Sequence, residues 1–317
     1  MFIVTASSLN TYSSCPRKYQ YKYMEEFEST LPQDALLIGS AVHIGIEHFW
    51  LGKTAAEMFE AVENYYRETP NYWSSDRGEV EKAKVTAYLY GYIKERAGML
   101  PLYDVLGVED KWSETLHVQT MGMTSNRAGK FDLVLRRKTS AARDIDDPMS
   151  VFWGKLTFDT QVVMYLDGAQ RKYGLSRRPR FVYDVIRKTK SKPSMTKRAA
   201  RRKAETKFQF EARKASLTET LPQFKARMLK EYTTDPSRFM WREILITHDE
   251  VERRQDELFL LEKQIQSAPL QYDLPRNPNS CLSAWGACPF FPVCAGQDDL
   301  TTSDQYRYKP AHSELKD

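Results

Sequence analysis

Four cysteines constrain this chain more than any other feature. Cys15 stands near the start of 317 residues, and Cys281, Cys288 and Cys294 lie close together near the end, in NSCLSAWGACPFFPVCAG. Three thiols within fourteen residues, spaced C-x6-C-x5-C, are not a scatter. Four thiolates with none left over suit one four-coordinate site, and thiolate is the soft ligand that zinc and iron–sulfur clusters both prefer. Such a site brings the start of the chain against its end and so demands one domain closed on itself, a clasp worth on the order of several kcal/mol. Two disulfides, or four unrelated buried thiols, are the alternatives; disulfides do not persist in a reducing compartment. Zinc sites usually bring close C-x2-C pairs. The wider spacings, with Pro16 after Cys15 and Pro289 after Cys288, favour a [4Fe–4S] cluster, with zinc second.

Composition is that of an ordinary globular chain, with 41% hydrophobic and 28% charged residues. No apolar run approaches membrane-spanning length, and the N-terminus MFIVTASSLN lacks the basic start and long apolar stretch of a signal peptide. The expected location is therefore the cytoplasm, with no membrane partner. A net charge of +5 permits nucleic acid as a partner without demanding it. The charge is uneven. RKTKSKPSMTKRAARRK, from Arg187 to Lys203, holds nine basic residues and no acid, a run suited to phosphates or to a solvated surface. Its second half puts Arg198, Arg201, Arg202 and Lys203 forward as DNA contacts. No Gly-rich phosphate loop appears, which argues against a nucleotide-driven motor.

The periodicity predicts an α/β fold. AVHIGIEHFW, AAEMFEAVENYYRE and EVEKAKVTAYLYGYIKERA read as helices, whereas LHVQT, KFDLVLR and RFVYDVI carry the β-branched and aromatic content of strands. One domain over 1–317 is expected. It comprises an N-terminal segment with the first cysteine (1–32), a helical region (33–104), a small mixed sheet (105–190), a basic helical segment (191–270) and the cysteine clasp and tail (271–317).

Several short pieces also occur in a familiar order. SLNTYSSCPRKYQYKY carries the first cysteine, LLIGSAVHIGIEHFW sets His43 after a small residue, and RAGKFDLV runs from a glycine to Asp132. KTS ends on the lysine side of an E-x-K pattern at Lys138, DTQVVMYLDGA holds Gln161 and Tyr165, and PRNPNSC…CPFFPVC closes the set. In this order the chain resembles RecB-type nucleases of the PD-(D/E)XK superfamily with an iron–sulfur clasp, among them AddB-type subunits, CRISPR-adaptation exonucleases and stand-alone phage nucleases. The match runs over about residues 6 to 296. The resemblance implies a restriction-endonuclease-like sheet flanked by helices, and the four cysteines as cluster ligands. It also implies Mg²⁺ or Mn²⁺ on Asp132 and His43, with Lys138, Gln161 and Tyr165 completing the catalytic set. It implies DNA as substrate, work in phage or bacterial DNA processing, and a recombinase or helicase as partner. The residue types suit the chemistry. Carboxylates hold hard divalent ions, the ion polarises a phosphate, and a lysine offsets the growing negative charge. Glu47, four residues after His43, shares its helical face.

One piece departs from the pattern. Lys138 follows Asp132 by only six residues, and Arg136 occupies the glutamate position of the E-x-K. On one continuous strand, Asp132 and Lys138 stand about 20 Å apart at ~3.3 Å per residue, too far to serve one ion. The second carboxylate must then come from elsewhere: Glu114, or Asp144, Asp146 or Asp147 in the loop ARDIDDP. Two functions follow from this. One is a metal-dependent DNA nuclease, an exonuclease by family. The other is a degenerate nuclease fold that binds DNA or a protein without cutting.

Overall fold

The computed structural model describes residues 2–30, 34–138, 155–194, 205–244, 246–268, 273–283 and 286–315. Its strands are β1 (Phe27–Ser29), β2 (Tyr103–Val118), β3 (Met123–Arg137), β4 (Phe181–Ile186), β5 (Phe239–Ile244), β6 (Leu282–Ser283), β7 (Gly286–Ala287) and β8 (Tyr306–Tyr308). They pair antiparallel as β1–β8, β2–β3, β4–β5 and β6–β7. The fold is thus mixed α/β, but the expected single mixed sheet is divided among the described residues into two-stranded ladders. Its parallel component is one bridge from Val4 to Arg127. There Val4 N donates to Asn126 O (2.8 Å) and Ala128 N donates to Val4 O (2.9 Å). β5, FMWREI, falls within a stretch whose charge density reads as helix; burial of Phe239 and Ile244 at its two ends makes it a strand.

The three helices expected before the sheet are present as Asp34–Trp50, Ala55–Glu68 and Asp76–Arg96. Thr54 and Glu57 close a reciprocal cap on the second of them, satisfying two backbone donors that the first turn leaves free. Together with the helix Leu221–Thr234 they enclose the larger core, around Trp50, Trp73, Tyr88, Tyr92 and Phe224. A second core lies between the β2–β3 hairpin and the helices Thr160–Lys172 and His248–Gln266, and contains Trp112, Phe131, Val162, Met164 and Leu258. Gly129 sits opposite Trp112 on the ladder, where a Cβ would lie 2.8 Å from the indole nitrogen. The glycine of the AGKFD stretch therefore makes room for that ring.

The two ends of the chain interlock. Arg17 Nε donates to Leu274 O (2.8 Å), Asn277 Nδ2 donates to Ser14 O (2.7 Å), and β1 pairs with β8. Tyr21, Phe290, Leu300 and Tyr306 form a small third core there, against which Cys288 and Cys294 pack. Among the described residues no helix is long and apolar enough to cross a membrane.

A buried ion pair joins the hairpin to the helix His248–Gln266. Arg127 Nε meets Glu262 Oε1 at 2.8 Å with neither side chain exposed, and Gln255 takes a second guanidinium hydrogen. The guanidinium also stacks 4.2 Å above the Phe259 ring. Replacing Arg127 by Leu alone leaves Glu262 buried without its cation and should cost about 3–5 kcal/mol in urea unfolding. The double replacement Arg127→Leu with Glu262→Leu should recover most of that loss. A single replacement that leaves stability unchanged would show that the pair is not what holds this helix.

Candidate active site

The hairpin register determines which side chains meet. Tyr103 to Val105 pair with Arg137 to Leu135, but Leu106 is an extra residue, and pairing resumes at Gly107 with Val134. This bulge moves every later residue of β2 by one place against β3. Val108 then faces Leu133 and Asp110 faces Phe131, which leaves Glu109 opposite Asp132. Gly107 is required at the bulge, since a Cβ there would lie 2.7 Å from the Tyr173 hydroxyl oxygen and 2.8 Å from Asp110 Cβ. Asp110 is itself occupied, accepting hydrogen bonds from Lys172 Nζ (2.5 Å) and the Tyr173 hydroxyl. Glu109, by contrast, has a φ of +50°, the left-handed region that a glutamate rarely adopts.

The helix Asp34–Trp50 brings His43 to the same place. Its Nδ1 lies 3.9 Å from Asp132 Oδ1. Among the described residues, His43, Glu109 and Asp132 form the one group of three His, Cys, Asp or Glu donors within 4.8 Å of one another. Both His43 and Asp132 keep more than half of their side-chain surface open to solvent. Crowding by the surrounding chain raises the Asp132 carboxyl pKa. His43 opposes that shift, Glu109 adds to it and Lys130 opposes it. Lys130 Nζ forms an ion pair with Glu109 Oε2.

The helix Thr160–Lys172 closes one side. Asp159 caps it by accepting from Gln161 N (2.8 Å), which explains the acid before Thr160-Gln161. Gln161 hydrogen-bonds the Tyr165 hydroxyl, which also meets the Lys130 backbone. Burial, and then the nearby Asp132 carboxylate, raises the Tyr165 pKa, so the phenol stays protonated. Its ring stands edge-on to Phe131, with centroids 5.4 Å apart.

Not every expected residue reaches this group. β3 is continuous to Arg137, and Lys138 turns its ammonium to Asp104 Oδ1 at 3.5 Å. Arg136 pairs with the same carboxylate at 3.0 Å. Glu114 is not the missing acid. It is half-buried beside the helix Thr160–Lys172, 3.1 Å from Arg171, where burial and Asp167 raise its pKa. Asp144, Asp146 and Asp147, and the basic residues Arg198, Arg201, Arg202 and Lys203, lie outside the described residues. Glu47 is not part of the converging trio. The acid that does converge, Glu109, belongs to a signal readable in the chain: Glu109-Asp110-Lys111 is itself an E-x-K tripeptide. It precedes Asp132 rather than following it, the reverse of the family order.

The cysteines form a separate group. Cys15, Cys281, Cys288 and Cys294 are all free thiols and line one small cavity with Lys18, Arg276 and Phe290. Cys281 and Cys288 flank the paired strands β6 and β7, with Cys288 N donating to Cys281 O at 2.7 Å. Burial raises the Cys288 thiol pKa, and the Lys18 ammonium opposes that.

The Glu109 backbone allows a test of whether conformational strain is held here for function. Glycine tolerates the left-handed region that costs another residue about 1–2 kcal/mol. Glu109→Gly should leave the urea midpoint unchanged or raise it, while Mn²⁺ binding, followed by calorimetry, weakens sharply. A large loss of stability would make Glu109 a structural residue instead.

Among curated proteins and among solved structures, no match to the chain was found. The family model described as the PD-(D/E)XK nuclease superfamily matches residues 3–295. A match over nearly the whole sequence, which includes every residue of the trio and all four cysteines, leads to one conclusion: the chain belongs to the PD-(D/E)XK nuclease superfamily.

Proposed function

We propose that this protein is a divalent-metal-dependent nuclease that hydrolyses DNA phosphodiesters, and an exonuclease of phage or bacterial DNA processing. The convergence of His43, Glu109 and Asp132 carries this reading. Two carboxylates and one imidazole are a donor set that Mn²⁺ accepts readily and that Mg²⁺ tolerates with waters on its remaining positions. Bound there, the ion supplies Lewis-acid polarisation of the phosphate and a water of lowered pKa.

The chain's own groups do the rest. Asp132 and Glu109 place two carboxylates from neighbouring strands at one point, and His43 adds an imidazole nitrogen from a helix. Tyr165, kept protonated, offers a hydroxyl beside Asp132, and Gln161 orients it. Lys190 and Lys192, exposed at the start of the basic run, are available to backbone phosphates. The non-cleaving alternative is favoured by one observation, the diversion of Lys138 and Arg136 to Asp104. Labelled single- and double-stranded DNA separates the two. Cleavage with Mn²⁺ or Mg²⁺ that stops on chelation, and that falls at least about 10²-fold in Asp132→Asn, is expected. DNA that is bound by the wild type but stays intact would establish the alternative.

The four thiols are assigned to a [4Fe–4S] cluster that ties the interlocked ends together. A single zinc ion at about 2.3 Å from each sulfur needs sulfurs roughly 3.8 Å apart. A cluster bonds each thiolate to a different iron and accepts a wider ring of sulfurs, which suits cysteines spaced more widely than close zinc pairs. Lys18 and Arg276 stand ready to offset its negative charge. Anaerobically purified protein should be brown and carry iron and sulfide in equal amounts. Cys288→Ser should bleach it and lower its thermal midpoint. A colourless protein with one bound zinc would overturn the cluster.

A further inference from the structure

We propose that Lys130 is the lysine of this active site, in the place that motif order gives to Lys138. The inference rests on the nuclease reading above and adds a residue to it. Three lysines compete for the role. Lys138 lies six residues along a continuous strand from Asp132 and pairs with Asp104. Lys111 completes the E-x-K tripeptide with Glu109 and is the more exposed of the two cross-strand lysines. Lys130 stands two residues before Asp132, so alternation along β3 turns both to the same face. Its ammonium rests on Glu109 Oε2, one of the three converging donors. Lys111 and Lys130 are direct cross-strand partners, and repulsion between like charges there favours leaning Lys130 towards Glu109. The family arrangement, an acid followed at two residues by a lysine, is thus met in reverse as Lys130-Phe131-Asp132.

The chemistry assigned to Lys130 is charge and orientation. Its ammonium holds the attacking water by a hydrogen bond and faces the phosphate oxygens whose charge grows. The water oxygen bonds to phosphorus as the bond from phosphorus to the leaving sugar oxygen breaks. The water loses one proton to solvent and the leaving oxygen gains one, so Lys130 is neither the acid nor the base of the step.

The test uses the full-length protein, with Lys130→Met, Lys130→Arg, Lys111→Met and Lys138→Ala compared by cleavage kinetics, Mn²⁺ calorimetry and thermal melting. Lys130→Met should lower kcat by about 10²-fold or more with KM for DNA little changed. Its Mn²⁺ affinity should hold or rise, because Glu109 loses a competing cation. Lys130→Arg should restore part of kcat, and Lys111→Met and Lys138→Ala should stay within about fivefold of wild type. Loss of Mn²⁺ binding or of folding in both Lys130 variants would make the residue a support for Glu109 and overturn the proposal. Loss of kcat in Lys111→Met or Lys138→Ala, with Lys130→Met active, would also overturn it. An inactive wild type that still binds Mn²⁺ would sink the nuclease reading first, and this inference with it.

Discussion

The extra residue at Leu106 is the constraint on which the candidate site depends. A strand ladder has a strict period of two, so moving β2 by one place exchanges the two faces for every residue beyond the bulge. Without it, Asp132 would face Val108, and Glu109 would face Phe131. With it, two carboxylates from neighbouring strands are held side by side, and Glu109 takes up a left-handed backbone. Gly107 and the Asp110–Tyr173 pair fit around the bulge so closely that they leave no room for a Cβ. The register is therefore specified by packing on one face of the hairpin and used chemically on the other.

Charge is handled differently on those two faces. In the second core, Arg127 and Glu262 are buried completely, and Glu114 lies near Arg171 and Asp167. Acids there have guanidinium partners, as desolvated carboxylates require. At the candidate site Asp132 and Glu109 face each other, with a histidine and a lysine at the margin, and Asp132 is pushed upward. An arrangement of like charges that a purely structural site would avoid is one that a divalent cation stabilises.

The family was legible in the sequence, and the structure brings His43 near Asp132 and Gln161 onto Tyr165, because each lies within a short run whose local geometry is simple. Gln161 and Tyr165 stand four positions apart on one helix, and they meet. The second acid is less legible for a physical reason. Glu114, expected from its nearness in sequence, lies against Arg171, and Asp144, Asp146 and Asp147 lie outside the described residues; the acid that converges among the described residues is chosen by a bulge that no composition signals. β5 was hidden in the same way, since a half-buried edge of FMWREI carries enough charge to resemble a helix face.

What the sequence alone determined is membership and inventory: an α/β chain of the PD-(D/E)XK superfamily, four thiols divided between its ends, an aspartate after a glycine, and an E-x-K with its glutamate replaced by Arg136. Those depend on residue type and spacing, which local physics reads directly. Only the tertiary structure decided that Glu109 meets Asp132, that Lys130 and not Lys138 sits beside them, and that four distant thiols line one cavity. Each of those is a contact between elements far apart in the chain or across a shifted ladder. Such contacts are set by core packing around Trp112 and Phe131 and by the one-residue offset at Leu106, and neither leaves a periodic trace in the sequence.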